Sequence, residues 1–66
     1  MRVTLNGEPR DLRDGVTVAE LVSDLGLRPR RIAVEINLDI VARDEYGGRA
    51  LCDGDVVEIV HFIGGG

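Results

Sequence analysis

The chain has 66 residues and a formal net charge of −4, is 44% hydrophobic and 30% charged, and its 8 basic residues are all arginines. A domain of this size buries only about 60% of the surface of its unfolded chain, which leaves little room for an internal cleft, so we do not expect an enzyme. The acidic balance argues against a nucleic-acid partner, and the short apolar runs argue against a membrane span.

Cysteine and histidine each occur once, as Cys52 and His61. A single cysteine cannot form an internal disulfide, and small secreted domains usually carry several, so we expect a cytoplasmic protein. The N-terminus opens directly into a strand pattern, so no signal peptide is expected. One cysteine and one histidine are also too few for a zinc or iron–sulfur site supplied by this chain alone, so no metal site is predicted.

The first elements form a predicted hairpin. Residues 1–6 alternate apolar and polar side chains, which is typical of a strand with one solvated face. Asn6-Gly7 predicts the turn, because a type I′ turn needs positive φ at both central residues. The returning strand covers about residues 8–12 and contains Pro9, which we expect to face away from a partner strand or to lie at a bulge. Asp14-Gly15 marks a second turn.

One helix follows. Thr17 and Glu20 form a T-x-x-E capping box that satisfies two free amide donors at the helix start. The apolar residues recur at helical spacing and predict one buried stripe: Val18, Leu21, Val22 and Leu25. Gly26 suits the left-handed conformation that ends many helices, and Pro29 prevents continuation.

A short basic cluster comes next, formed by Arg28, Arg30 and Arg31. Because its surroundings are acidic, we expect a solvated loop rather than a binding patch. Residues 32–37 then alternate apolar and polar side chains and predict a third strand, and Ile40-Val41 indicates a short fourth one.

The last third of the chain is less regular until its final strand. Residues 44–48 are predicted to be irregular, and residues 49–51 are either a short strand or the entry to a turn. Asp53-Gly54-Asp55 makes that turn. Residues 55–62 then form the final predicted strand.

The order of these elements predicts the fold class. We expect an α+β domain, with a mixed sheet of four to five strands and one main helix packed on one face. The first and last strands are expected to lie side by side and parallel in the centre. By analogy this is the order of the β-grasp, or ubiquitin-like, fold. Residues 1–63 would form this single domain, and residues 64–66 a flexible glycine tail.

The final strand has two apolar sides. Val57 and Ile59 share one side, whereas Val60 and Phe62 share the other. A single helix can cover only one face of the sheet. If Val57 and Ile59 face the helix, Val60 and Phe62 face solvent, and we predict that they and Ile63 dock a partner.

The chain ends in three glycines, Gly64, Gly65 and Gly66. Glycine lacks Cβ, so such a segment can thread a narrow channel and let another protein approach its backbone closely. Extended, the three residues span about 10 Å. The Gly66 carboxylate would then be a chemical handle for another enzyme, which could activate it as an acyl-adenylate.

Several segments together resemble the ThiS family of sulfur carriers in thiamin biosynthesis. They are "LNGEP", "TVAELV", "IAVEIN", "IVAR" and above all the closing "DGDVVEIVHFIGGG". The resemblance covers essentially the whole chain. Its closing motif is specific at a terminus, whereas the other pieces are individually weak.

The resemblance implies a function and its partners. In this family an E1-like adenylyltransferase uses ATP to adenylate the terminal glycine carboxylate, which here is that of Gly66. Sulfur from a donor protein then gives a thiocarboxylate, and thiazole synthase takes the sulfur. Gly64 and Gly65 would thread the partner's active site, and this chain would bind no cofactor and supply no catalytic residue.

Four alternatives remain open on the sequence. The small subunit of molybdopterin synthase resembles the chain in fold and tail, but is usually longer. A ubiquitin-like protein modifier is compatible with the tail. A small enzyme could use Cys52 as nucleophile and His61 as base, although no third orienting group is evident and a lone cysteine is usually a small core hydrophobe. A purely structural binding module would tolerate residues added after Gly66.

Overall fold

The computed structural model describes residues 1–62, which form five strands, one helix and two short 3-10 turns. The regular elements in chain order are β1 (Arg2–Leu5), β2 (Glu8–Asp11), α1 (Val18–Asp24), β3 (Ile32–Ile36), β4 (Asp39–Val41) and β5 (Val56–His61). The 3-10 turns are Pro29–Arg31 and Arg43–Glu45. Within residues 1–62, no helix is long and apolar enough to cross a membrane.

All five strands belong to one mixed sheet with the order β2-β1-β5-β3-β4. The first and last strands are central neighbours and run parallel, with Thr4 opposite Val56 and Leu5 opposite Val57. Every other neighbouring pair of strands is antiparallel. The predicted α+β class and the β-grasp topology are therefore confirmed.

The first hairpin has the predicted turn. Asn6 and Gly7 have φ values of 49° and 83°, as a type I′ turn requires. Pro9 lies on the edge strand β2 opposite Thr4. The Thr4 N–H donates instead to the carbonyl of Asp55 on the other side of β1, at 2.9 Å. Thr4 and Pro9 are thus a non-hydrogen-bonded pair, and the missing amide proton of Pro9 costs the sheet nothing.

The helix begins and ends as the sequence predicts. Thr17 Oγ1 accepts from the Glu20 N–H at 3.1 Å, while Glu20 Oε1 accepts from the Thr17 N–H at 2.9 Å. At the other end Gly26 has a φ of 72°, and the Leu27 N–H donates to the Val22 carbonyl at 3.0 Å. This is the bonding of a helix that ends in a left-handed glycine.

The core lies between the helix and one face of the sheet. Its buried hydrophobic residues are Val3, Leu5, Val16, Val18, Leu21, Val22, Ile32, Val34, Ile36, Val41, Tyr46, Leu51 and Val57. Leu25 and Ile59 are partly buried against this cluster. The predicted helix stripe is therefore the face that packs on the sheet.

The segment between β4 and β5 is more ordered than its sequence indicates. It contains the 3-10 turn Arg43–Glu45, and Tyr46 is only 4% exposed. The carbonyls of Tyr46 and Arg49 accept from the N–H groups of Ala19 and Val18, at 3.0 and 2.9 Å. These N–H groups belong to the first turn of α1, which leaves its amide donors without partners inside the helix. Residues 49–51 form an isolated bridge from Ala50 to Thr17 rather than a strand.

Candidate functional site

The strand that leads to the glycine tail is held on both sides. β5 lies between β1 and β3, and five residue pairs, from Ile32–His61 to Ile36–Val57, join it to β3. Beyond the strand the Phe62 N–H still donates to the Arg31 carbonyl, at 2.8 Å. The position of the backbone is therefore fixed up to Phe62.

One side of β5 faces the core and the other faces solvent, as predicted. Val57 is fully buried and Ile59 is partly buried against the core. On the opposite side Val60 and Phe62 are 55% and 53% exposed. These two residues form an apolar strip on the uncovered face of the sheet, and the exposed Glu58 separates them from Val56, which is 44% exposed on the same face. Ile63, the third predicted docking residue, lies outside the described residues.

Asn6 extends the contact between β1 and β5 past the end of β1. Its side-chain oxygen accepts from the Ile59 N–H at 2.7 Å, and its side-chain nitrogen donates to the Ile59 carbonyl at 3.2 Å. The amide group thus replaces a strand residue opposite Ile59. Sequence reasoning assigned Asn6 only to its turn, because nothing in the spacing indicates a partner 53 residues away.

A second asparagine fixes the start of β5. Asn37 Oδ1 accepts from the Val56 N–H at 2.9 Å, and Asn37 Nδ2 donates to Asp55 Oδ1 at 3.0 Å. The other oxygen of Asp55, which is 9% exposed, accepts from the Cys52 N–H at 2.8 Å. This polar network supports the strand and was not predicted.

The structure excludes a catalytic pair of Cys52 and His61. Cys52 precedes the start of β5 and His61 ends it, so roughly 17 Å of strand separates them, whereas a nucleophile and its base must be within hydrogen-bond reach. The expectation that Cys52 is a core hydrophobe is also wrong, because its side chain is exposed beside the Asp53-Gly54 turn. Residues 1–62 contain no group of three metal-binding side chains.

The ion pair of Arg2 and Asp11 lies at the opposite end of the sheet from the end of β5. The Arg2 guanidinium donates to Asp11 at 2.9 Å and holds the pKa of that carboxyl below its usual value. Arg2 is at the start of β1, beside the start of the parallel β5. At the helix start, the Thr17 N–H lowers the pKa of Glu20.

Gly64, Gly65 and Gly66 lie outside the described residues. The prediction that these glycines are flexible therefore concerns a part of the chain that the structure does not describe. Residues 1–62 define a ubiquitin-like domain whose central last strand presents an apolar strip on the open face of the sheet. Comparison with known proteins narrows this class. The sequence model of the ThiS family matches residues 3–66, so the chain belongs to the ThiS family.

Similar proteins agree with this assignment. The chain is 41% identical to the sulfur carrier protein ThiS of Bacillus subtilis over 54 residues, which cover 82% of each chain. It is 46% identical over its whole length to part of a thiazole synthase of Magnetococcus marinus, of which it spans only 20%. The crystal structure of a thiamine biosynthesis protein (ThiS) from Geobacter metallireducens has a TM-score of 0.86 and 33% identity, with full coverage of both chains.

Proposed function

We propose that this chain carries sulfur for thiazole formation in thiamin biosynthesis, as a thiocarboxylate on Gly66. The observation that carries this proposal is the family match, which runs from residue 3 through the glycine tail. The domain of residues 1–63 would present residues 64–66 to partner enzymes, in the cytoplasm. The same match favours the thiamin pathway over the small subunit of molybdopterin synthase.

The proposed chemistry needs no catalytic group from this chain. A carboxylate is a poor acyl donor because its leaving group is oxide. In the proposed sequence a Gly66 carboxylate oxygen attacks the α-phosphorus of ATP on an E1-like adenylyltransferase, and pyrophosphate leaves. A sulfur nucleophile from a donor protein then attacks the acyl carbon, and AMP leaves. If that nucleophile is the outer sulfur of a donor persulfide, an acyl disulfide forms, and a thiol then attacks the donor's sulfur. This leaves the thiocarboxylate on Gly66 and a disulfide between the thiol and the donor's cysteine.

Thiazole synthase is the proposed acceptor of the sulfur. A segment similar to this whole chain occurs within proteins that are named thiazole synthase, at 46% and 47% identity. Two functions joined in one polypeptide commonly act on each other's products. We therefore assign the sulfur to the thiazole ring of thiamin.

The exposed strip on β5 supplies the proposed docking surface. Val60 and Phe62 lie next to the tail, and apolar anchors dominate the energy of most protein interfaces. With Ile63 they would hold the partner while Gly64 and Gly65 thread its active site. The smallness of glycine is what allows that close approach.

The test changes only the tail and measures ATP–pyrophosphate exchange with the activating enzyme. Adding one alanine after Gly66 moves the carboxylate about 3.5 Å, and a misplacement of roughly 1 Å can cost about a hundredfold in rate. Deletion of Gly66 should abolish the exchange because the new terminal carboxylate falls short of the nucleotide. Gly65→Val should abolish it because the valine side chain clashes with the enzyme's channel.

The matched control is the thermal stability of the three tail variants. None of the three variants touches the core, so all should unfold at the temperature of the parent protein. Adenylation and thiocarboxylate formation of the alanine-extended protein at the parent's rate would contradict the proposal.

A further inference from the structure

Four arginines meet near the end of β5 that bears the tail. Arg28, Arg30 and Arg31 lie in and before the first 3-10 turn, and Arg43 begins the second. The Arg43 Nε–H donates to the Pro29 carbonyl at 3.0 Å and joins the two turns. These four residues, which we call the arginine cluster, line with Pro29 an open concavity of about 420 Å³.

The arginine cluster adjoins the proposed docking residues. The Arg31 carbonyl accepts from the Phe62 N–H at 2.8 Å. Arg28 and Arg31 also line a second concavity of about 310 Å³ together with His61 and Phe62. A partner that covers Phe62 therefore meets the arginine cluster as well.

The positive charge of the arginine cluster is not neutralised within the described part of the chain. The ion pairs among residues 1–62 involve only Arg2, Arg13 and the amino terminus as cations. All four cluster residues are exposed, and they are half of the 8 basic residues of an acidic chain. Grouping like charges costs free energy in the isolated domain, and an external anionic group would offset it.

We propose that the arginine cluster docks a carboxylate-rich surface of the enzyme that activates the tail, and the identity of that enzyme rests on the proposed function. Arginine suits this role because its planar guanidinium matches a carboxylate in a two-bond arrangement. The open shape of the concavity fits a protein surface better than a small enclosed anion. The acidic remainder of the chain would repel an extended polyanion such as nucleic acid.

The two neighbouring surfaces then have different effects. Complementary charge mainly raises the association rate and fixes the orientation, whereas buried apolar anchors slow dissociation. The arginine cluster would thus steer the tail toward the partner's active site, and the strip of Val60 and Phe62 would hold it there.

The first experiment needs no knowledge of the partner. A decaglutamate peptide is titrated into the labelled protein at low salt and followed by NMR. Amide shifts should concentrate at residues 26–28, 30–31, 43 and 61–62. The double variant Arg28→Gln/Arg31→Gln should weaken binding about fivefold, as expected for two lost surface charge pairs. The charge-matched control Arg10→Gln/Arg49→Gln should change it less than about twofold.

Two outcomes of this titration would overturn the inference. One is that both double variants weaken binding of the peptide equally, which would show that binding depends only on the net charge of the protein. The other is tighter binding of an oligothymidylate of the same charge, which would indicate nucleic acid.

The second experiment measures the association rate with the activating enzyme over a salt series. We expect the Arg28→Gln/Arg31→Gln protein to associate roughly tenfold more slowly at low salt, with a shallower salt dependence and a nearly unchanged dissociation rate. Rates equal to those of the control variant would reject the inference. Thiocarboxylate formation should persist in the Arg10→Gln/Arg49→Gln control, and its absence from the parent would instead contradict the proposed function.

Discussion

One isosteric change made at two positions of β5 tests which side of the strand the core uses. Val57 is fully buried, opposite Leu5 on β1 and Ile36 on β3. Replacing it with threonine keeps the shape and the β-branched side chain but places a hydroxyl among apolar groups. Burial of a hydroxyl without a partner costs about 2 kcal/mol in proteins. That corresponds to a fall of roughly 8–16 °C in the unfolding temperature of so small a domain.

The matched substitution Val60→Thr should leave stability almost unchanged. Val60 is 55% exposed, so the new hydroxyl reaches water. Phe62→Ser should likewise keep the fold and weaken binding to the activating enzyme, because Phe62 is 53% exposed and lies in the proposed docking strip. Thermal unfolding by circular dichroism and a pull-down measure the two effects. Unfolding of Phe62→Ser, or equal destabilisation by the two threonine variants, would refute the assignment of faces.

Three further predictions concern stability. Leu38→Asn should raise the unfolding temperature by a few degrees, because Leu38 is 87% exposed and has a φ of 74°, a conformation that asparagine adopts more readily than leucine. A lower unfolding temperature would contradict this. Asn6→Gly keeps the positive φ of the turn but removes both hydrogen bonds to Ile59, so denaturant unfolding should show a loss of about 1–2 kcal/mol. The pKa of Glu20 is lowered in the folded state by its bonds to Thr17, so its contribution is present above the unfolded pKa of about 4.3 and is lost as the pH falls through the folded value. Glu20→Gln should therefore show a shallower loss of stability in acid, and a steeper loss would oppose this explanation.

The parts of the fold that rest on local chemistry could be predicted from the sequence. The capping box of Thr17 and Glu20 and the turn at Asn6-Gly7 each depend on residues within a few positions of one another. The alternation along β5 predicted the two groups of residues that share a side, and the condition that Val57 and Ile59 face the helix holds in the structure. Each of these features has a period or a turn motif that the sequence displays directly.

The parts that rest on distant contacts could not be predicted. Tyr46 is buried although its segment has no period, because the carbonyl of Tyr46 bonds to the start of the helix. Asn6 reaches Ile59 only once β1 and β5 are paired. Arg43 joins Arg28 and its neighbours only through the folded turns, so the sequence showed three basic residues of a solvated loop rather than four around a concavity.

The most direct test of the central claim is the intact mass of the protein purified from its own cells under non-reducing, neutral conditions. The account predicts a population in which one oxygen has been replaced by sulfur, with fragmentation locating the change to Gly66. That population should disappear when the activating enzyme is deleted, while the unmodified protein remains. A mass equal to that of the unmodified chain in cells that are actively making thiamin, with the activating enzyme present, would contradict the account.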